Sequence, residues 1–103
     1  MFYPLEKLHL LHEGYRRPFL VAGRHLLLME ESSGRYLLEN RCPHAGSPLH
    51  EAALQGDNLR CPQHGICFNL QSGKAVNAEN FAGDMKLVFL KLVYRDNIVG
   101  VEL

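Results

Sequence analysis

Two short segments each combine one cysteine with one histidine, and together these residues could hold a metal centre. The first is Cys42-Pro43-His44 and the second is Cys61-Pro62-Gln63-His64, with sixteen residues between them. Structural zinc sites are usually built from segments that repeat one ligand type, such as C-x-x-C. Here each segment offers one thiolate and one imidazole, which suits a binuclear iron cluster with both cysteines on one iron and both histidines on the other. A mononuclear zinc site remains the alternative.

Proline and glycine stand at matching places in the two segments. Pro43 and Pro62 directly follow the cysteines, where a proline stiffens the loop and removes an amide donor. Gly46 and Gly65 follow the histidines, and a glycine lets the backbone approach closely and adopt a positive φ. This matched placement indicates two loops of similar shape around one centre.

Length and composition indicate a globular chain without a strong charge. The 103 residues predict one domain over 1–103, and a hydrophobic content of 47% argues against disorder. Lys and Arg together number 11, as do Asp and Glu, so no basic surface for nucleic acid is expected. No signal peptide and no apolar run long enough to span a membrane are seen. The three cysteines do not suggest a disulfide framework, so we expect a cytoplasmic protein.

The elements that must position the two loops are strands. Helical periodicity is weak, and short β-type segments recur between turn residues, which predicts an all-β fold. A turn at Ser32-Ser33-Gly34, another at Gly56-Asp57 and a third at Asp96-Asn97 predict three hairpins. A short helix near 45–53 is possible, and 75–85 is expected to be a loop. The predicted strands are 18–22, 25–29, 35–39, 53–54, 58–60, 66–69, 87–94 and 98–102.

The extended sequence of both segments resembles the two cluster-binding boxes of Rieske-type [2Fe–2S] proteins. The boxes are Cys42-Pro43-His44-Ala45-Gly46-Ser47-Pro48-Leu49 and Cys61-Pro62-Gln63-His64-Gly65-Ile66-Cys67-Phe68-Asn69. The resemblance implies stacked antiparallel sheets with a cluster-binding subdomain formed by two hairpin-like loops. It also implies one [2Fe–2S] cluster, with Cys42 and Cys61 on the buried iron and His44 and His64 on the outer iron.

The resemblance is greatest to the soluble ferredoxins of bacterial ring-hydroxylating oxygenases. The branch found in respiratory complexes has a disulfide between the loops, and this chain has Ser47 and Gln63 at those positions. Where that branch has a serine and a tyrosine that donate hydrogen bonds to sulfur, Ile66 and Phe68 stand here. Fewer donors near sulfur lower the reduction potential, so a value on the order of −150 mV is expected.

Three functions from different classes follow. The first is a monomeric one-electron carrier, not itself an enzyme, that takes electrons from a reductase to a terminal oxygenase. The second is a Rieske-like small subunit of a larger redox enzyme, of the nitrite-reductase type. The third is a zinc-stabilised binding module. The sequence contains no dinucleotide-binding fingerprint and no nucleophile motif that would indicate a second active site.

Several residues near the boxes have a structural and a functional interpretation. Cys67 is interpreted as a small core residue, with a redox-active thiol as the alternative. His50 is expected at the surface, with an influence on the cluster or on docking as the alternative. Ser47 could donate to a cluster sulfide or satisfy the loop backbone. His9, His12 and His25 are expected to be ordinary strand or loop residues, and the segment 77–81 could cover the cluster.

Overall fold

The protein is described by a computed structural model, which covers residues 1–44, 46–62, 65–76 and 85–103. These residues form nine strands and one short 3-10 helix, Leu8–Leu10. The strands are β1 (Phe2–Lys7), β2 (Arg16–Val21), β3 (Arg24–Glu31), β4 (Gly34–Glu39), β5 (Ala53–Gln55), β6 (Asn58–Arg60), β7 (Cys67–Asn69), β8 (Leu92–Arg95) and β9 (Ile98–Glu102).

The strands form three antiparallel sheets of three strands each, in the orders β1-β9-β8, β2-β3-β4 and β5-β6-β7. The predicted all-β fold of stacked antiparallel sheets is therefore confirmed. In the described part of the chain, no helix is long and apolar enough to cross a membrane.

The sheet β2-β3-β4 is covered on both faces, which explains the uninterrupted apolar run at 26–29 in β3. Side chains alternate between the two faces of a strand. Leu26 and Leu28 therefore pack in one buried cluster with Val99 and Val101 of β9. Their neighbours in β3, Leu27 and Met29, pack in a second buried cluster that contains residues of both Cys/His loops. The middle sheet thus packs against the two Cys/His loops with one face and against β9 with the other.

All three predicted hairpins are present. β3 pairs with β4 across the Ser-Ser-Gly turn, and β5 pairs with β6 across the Gly-Asp turn. β8 pairs with β9, and the turn residues Asp96 and Asn97 have φ values of 50° and 63°. Two successive positive φ values match the twist of the flanking strands, and Asp and Asn tolerate them better than most residues.

The predicted strand at 87–94 is too long, because β8 begins only at Leu92. The residues before it follow the open edge of β4 instead. Glu39 N donates to Val88 O at 2.8 Å, and Leu90 N donates to Leu37 O at 2.8 Å. These bonds join the β4 edge to the chain that enters β8. The apolar pattern is the same in both settings, so it could not separate them.

Two other differences from the predicted elements concern the N-terminus and the first loop. β1 was not predicted, because Pro4 interrupts its sequence; it lies at the edge of its sheet, where a proline is tolerated. Residues 46–52 do not form the helix that the sequence allowed near 45–53, and Ala45 lies outside the described residues. Of the loop expected at 75–85, residues 77–84 also lie outside them, which includes the segment 77–81.

Candidate metal centre

The two Cys/His segments have different settings in the fold. The first loop, residues 41–52, leads from β4 in the middle sheet to β5 in the third sheet. The second loop, residues 61–66, joins β6 and β7, which pair with each other. Gln63 and His64 of the second loop lie outside the described residues. The second loop is thus the tip of a hairpin, whereas the first loop connects two sheets.

Despite this difference, both loops close with the same backbone hydrogen bonds. Cys42 N donates to Ser47 O at 2.7 Å, and Cys61 N donates to Ile66 O at 2.8 Å. In return, the carbonyl oxygens of Cys42 and Cys61 accept from the amides of Gly46 and Gly65, at 2.7 and 3.0 Å. Both loops are therefore hairpin-like in their own backbone, with the cysteine at the first position of each.

Gly46 and Gly65 both adopt the positive φ that only a glycine tolerates easily. Gly46 has φ 75° and Gly65 has φ 67°, both in the left-handed region that disfavours a side chain. Gly65 also leaves room for a neighbour, because an added Cβ would lie 2.9 Å from Nη2 of Arg60. The Arg60 guanidinium therefore packs directly against the backbone of the second loop.

Both cysteines are buried in the same apolar cluster. Cys42 and Cys61 are each 1% exposed, and they share this cluster with Leu49, Ile66 and Phe68. A thiolate pair in such surroundings needs a positive partner, because an isolated buried charge is costly. A bound metal would supply that partner. The donor chemistry and burial of the cysteine pair therefore fit the sulfur side of a cluster.

His44 lies nearer to the surface than the cysteines. Its residue is partly exposed, while its Nδ1 atom is buried. One ring nitrogen of His44 is thus buried in the protein, while the residue as a whole is partly exposed. His64 lies outside the described residues, so its place relative to His44 stays a prediction. Among the described residues, no group of three or more His, Cys, Asp and Glu side chains could hold a single metal ion.

The first loop is fastened by two polar residues that the sequence analysis did not single out. Asn40 Oδ1 accepts from the amide of the buried Leu49 at 2.8 Å, and Asn40 Nδ2 lies 3.1 Å from Nδ1 of His50. Arg16 in β2 donates through Nη1 to the carbonyl oxygen of Ala52. No local pattern marks these residues, because Arg16 and its partner are 36 positions apart in the sequence.

The bonds of Asn40 also determine the tautomer of His50. Because Asn40 Oδ1 already accepts from Leu49, the atom that faces the imidazole is the amide nitrogen, which can only donate. His50 Nδ1 therefore accepts this bond, and Nε2 carries the ring proton. His50 belongs to the first loop and is half-buried, so it is less exposed than a residue that lies fully at the surface.

Other residues of the boxes fill structural places. Cys67 is buried in β7, where its thiol donates to Gly65 O at 3.8 Å, in agreement with its interpretation as a core residue. Ser47 accepts the Cys42 amide with its backbone oxygen. Ile66 and Phe68 are buried beside the cysteines. His9 lies in the 3-10 helix, and His25 lies in β3.

An all-β protein that brings two matching Cys/His loops to one buried group of apolar side chains belongs to a small class of metal-binding folds. The model of the Rieske [2Fe-2S] domain matches residues 1–91. The chain therefore belongs to the Rieske [2Fe-2S] domain family. A domain of this family carries one [2Fe–2S] cluster, and the described donors fit it: two buried thiols in one apolar cluster and a histidine at its partly exposed side.

Similarity to individual proteins extends over different lengths. Apoptosis-inducing factor 3 of Homo sapiens is 34% identical over 73 residues, which is 71% of this chain and 12% of that protein. The naphthalene 1,2-dioxygenase ferredoxin component of Pseudomonas putida is 33% identical over 58 residues, 56% of each chain. The chain thus spans about an eighth of the length of the first of these relatives and about half of the second.

Among solved structures, the ferredoxin of Sphingomonas yanoikuyae B1 superposes with a TM-score of 0.80 over 100% of this chain and 99% of that one, at 17% identity. The ferredoxin of carbazole 1,9a-dioxygenase from Nocardioides aromaticivorans IC177 has a TM-score of 0.77 over 97% of this chain and 95% of that one, at 19% identity. At these identities the likeness shows the fold.

Proposed function

We propose that the chain is a one-electron carrier whose cluster is held by Cys42, His44, Cys61 and His64. In this proposal it works as a single Rieske domain over 1–103, as a monomer in the cytoplasm. It takes electrons from a reductase and passes them to a terminal oxygenase, and it catalyses no substrate reaction itself. The observation that carries the proposal is the identical closure of two loops that bury both cysteines in one apolar cluster.

The described residues of the site lie on two sides, one buried in the protein and one partly open to solvent. When bound, the cluster accepts and returns one electron. Cys42 and Cys61 hold it from the apolar interior, where water is excluded and the loop backbones are closed by hydrogen bonds. His44 stands at the partly exposed side, where an electron can leave or enter over a short distance. Rigid loops reduce the rearrangement that accompanies each change of charge.

The identity of the partners rests on the naphthalene 1,2-dioxygenase ferredoxin component among the relatives, which is named as part of a dioxygenase system. By analogy, this chain would serve an oxygenase that acts on an organic substrate. The proposed reductase and oxygenase are proteins, and no nucleic acid or membrane surface is part of the scheme.

The proposal is tested by electron paramagnetic resonance on anaerobically purified protein reduced with dithionite. Iron and acid-labile sulfide are measured on the same sample. We expect two irons and two sulfides per chain, and a rhombic signal with an average g below that of all-cysteine clusters. A redox titration should show one reversible one-electron step. A colourless sample that contains one zinc ion per chain would contradict the proposal and favour the zinc-stabilised module.

Matched variants test the ligand set. Cys42→Ser and Cys61→Ser should lose the signal, while Cys67→Ser should keep it, although all three thiols are buried. His44→Ala and His64→Ala should lose the signal, while His25→Ala in β3 should keep it. Retention of a normal signal in either histidine variant would remove that histidine from the proposed ligand set.

A second candidate is a component of a larger redox protein. It is favoured by apoptosis-inducing factor 3, in which the matched segment is only 12% of the length. Co-purification separates the candidates: a carrier is isolated alone and exchanges electrons with added proteins, whereas a subunit is isolated in a fixed ratio with its partner.

A further inference from the structure

A cleft of about 570 Å³ lies against the first loop, which contains the proposed ligand His44. Four residues of the first loop line this cleft: Arg41, Gly46, Pro48 and His50. Arg24 and His25 at the start of β3 also line it. An occupant of the cleft would therefore touch the loop that contains Cys42 and His44.

The charge of the cleft is positive, although the whole chain is neutral. The one carboxylate among its described lining residues, Glu39, lies 3.1 Å from Arg24 and 3.5 Å from Arg41, so two guanidinium groups share one negative charge. The arginine side chains are 42% and 69% exposed, whereas that of Glu39 is 25% exposed. The cationic groups thus face solvent, and the carboxylate lies behind them.

A second depression, which shares Glu39 and Arg41 with the cleft, extends this surface. It is lined by Pro43 of the first loop and by Lys86 and Val88, together with Glu39 and Arg41. Val88 is 47% exposed, so an apolar contact is available between the charges. Among the described residues that line both depressions, three cationic side chains face one carboxylate. Partly apolar surfaces with charges of one sign are typical of transient docking sites, where charge directs the encounter.

His50 adds a neutral donor to the cleft. Its Nδ1 accepts from Asn40, so its Nε2 carries a proton that can be given to an acceptor. The guanidinium groups of Arg24 and Arg41 are donors only, and they match the planar geometry of carboxylates. Among the described residues that line the cleft, the donors therefore select an anionic occupant.

We propose that this cleft docks carboxylate side chains of the protein that exchanges electrons with the chain. The inference rests on the proposed electron-carrier function and adds the sign and place of the docking surface. A protein segment is favoured over a small anion because the positive surface continues over Arg41 to Lys86 and the exposed Val88. It ends beside the segment Cys42-Pro43-His44, where electron exchange requires close approach.

The first measurement is binding of a fluorescent hexaglutamate peptide, followed by anisotropy at low ionic strength. We expect binding to the wild type that weakens about tenfold in Arg24→Gln/Arg41→Gln and is lost at high salt. Lys86→Gln, which leaves both ion pairs of Glu39 intact, should also weaken it. Arg95→Gln is the matched control, because Arg95 pairs with Glu102 on β9 and lines neither depression. Equal binding by all variants would overturn the proposal.

The second measurement is electron transfer from the reduced protein to hexacyanoferrate(III), an anion that takes one electron to become hexacyanoferrate(II). Its rate should fall with added salt, and the double variant should lower the low-salt rate about tenfold with an unchanged reduction potential. A cationic oxidant, hexaamminecobalt(III), should show no such loss. A potential shift that accounts for the whole rate change would overturn the role in docking.

The outcomes separate this inference from the function on which it depends. The peptide titration reports on the cleft in any folded sample, and the iron and sulfide content reports on the cluster. A cluster-containing protein whose variants bind the peptide equally would refute only the docking surface. Direct binding of inorganic phosphate that is lost in Arg24→Gln/Arg41→Gln, without any peptide binding, would assign the cleft to a small anion and would refute the docking of a protein.

Discussion

Cys42 and Cys61 occupy the same position in two turns that close with the same hydrogen bonds. In each turn the cysteine amide donates to the carbonyl oxygen five residues later, and its own carbonyl accepts from a glycine four residues later. The turns nevertheless sit in different settings, one between two sheets and one at a hairpin tip. The local sequence of each loop therefore determines where its sulfur lies, and the surrounding strands bring the two loops together.

Replacing the glycine of either turn should weaken binding of the metal centre. Gly46→Ala and Gly65→Ala would place a side chain at φ 75° and 67°, which costs about 1–2 kcal/mol each. Gly65→Ala must also displace Arg60, whereas an added Cβ at Gly46 has no neighbour within 4 Å among the described residues. Both variants should lose their visible absorption at a lower temperature, and Gly65→Ala should lose it first.

The control for the glycine variants is Gly56→Ala in the turn between β5 and β6. Its φ is 62°, and an added Cβ there also has no neighbour within 4 Å. It should lower the unfolding temperature by a similar amount without earlier loss of colour relative to unfolding. Loss of colour to the same extent in all three variants would show a general effect of stability.

Asn40 should hold the first loop in place for metal binding. Asn40→Ala removes the acceptor of the Leu49 amide, and a buried amide without a partner costs about 1–3 kcal/mol. Asn40→Asp keeps that acceptor and loses only the donor to His50, so its loss of stability should be smaller. The measurement is the half-life of the visible absorption in the presence of an iron chelator. Equal half-lives for the wild type and Asn40→Ala would contradict this role.

The reduction potential should rise when a hydroxyl is added next to the cysteines. Phe68 is fully buried in the same group of apolar side chains as Cys42 and Cys61. A hydrogen bond to sulfur stabilises the reduced state, and ~1 kcal/mol corresponds to about 40 mV for one electron. Phe68→Tyr should therefore shift the midpoint upward by about that amount from a value on the order of −150 mV.

A redox titration followed by electron paramagnetic resonance measures this shift. Phe89→Tyr is the control, because Phe89 is partly exposed and lies outside the cluster of the cysteines. An unchanged potential in Phe68→Tyr, with the protein folded and the metal retained, would show that the ring is directed away from the sulfur atoms.

The elements that the sequence predicts well depend on local patterns. The Asp96-Asn97 turn needs two residues that tolerate positive φ, and the sequence places them between two apolar runs. The Cys/His loops carry their shape in their own glycines and prolines. In contrast, β1 contains Pro4 and is visible only through its pairing with β9 at the other end of the chain.

The support of the site is long-range, and it could not be predicted for that reason. The sequence around Arg16 is that of an ordinary charged surface residue. Its hydrogen bond to Ala52 is visible only in the folded structure, where β2 lies beside the first loop. The same holds for Arg24 and Arg41, whose positive cleft forms across two strand ends while the whole chain is neutral. The net charge is a sum over the whole chain, whereas a partner protein contacts only one face of the folded molecule.

The pH dependence of stability should contain a contribution from Tyr15 and Glu6, which link the segment before β2 to β1. Tyr15 donates its hydroxyl to Glu6 Oε2 at 2.8 Å. Burial, assisted by this bond and the negative charge of Glu6, raises the pKa of Tyr15 to about 12. The same bond, together with the Lys7 amide and Arg17, lowers the pKa of Glu6.

The sign of each effect follows from proton linkage. Between pH 10 and about 12 the folded protein keeps the Tyr15 proton while the unfolded chain releases it, so stability falls as the pH rises. The contribution of Glu6 is present above its ordinary pKa and is lost as the pH falls through its lowered value. Tyr15→Phe should therefore remove this contribution to the alkaline slope and reduce the loss of stability in acid.

The variants of this pair separate burial from charge. Glu6→Gln removes the carboxylate but leaves Tyr15 buried, and burial is the largest cause of the shift. The pKa of Tyr15, followed by tyrosinate absorbance, should then decrease only in part and stay above 10. A complete return to the ordinary value in Glu6→Gln would show that the charge of Glu6, not burial, controls this tyrosine. Unfolding free energies between pH 10 and 12 should follow the same order, with the wild type most sensitive to pH and Tyr15→Phe least.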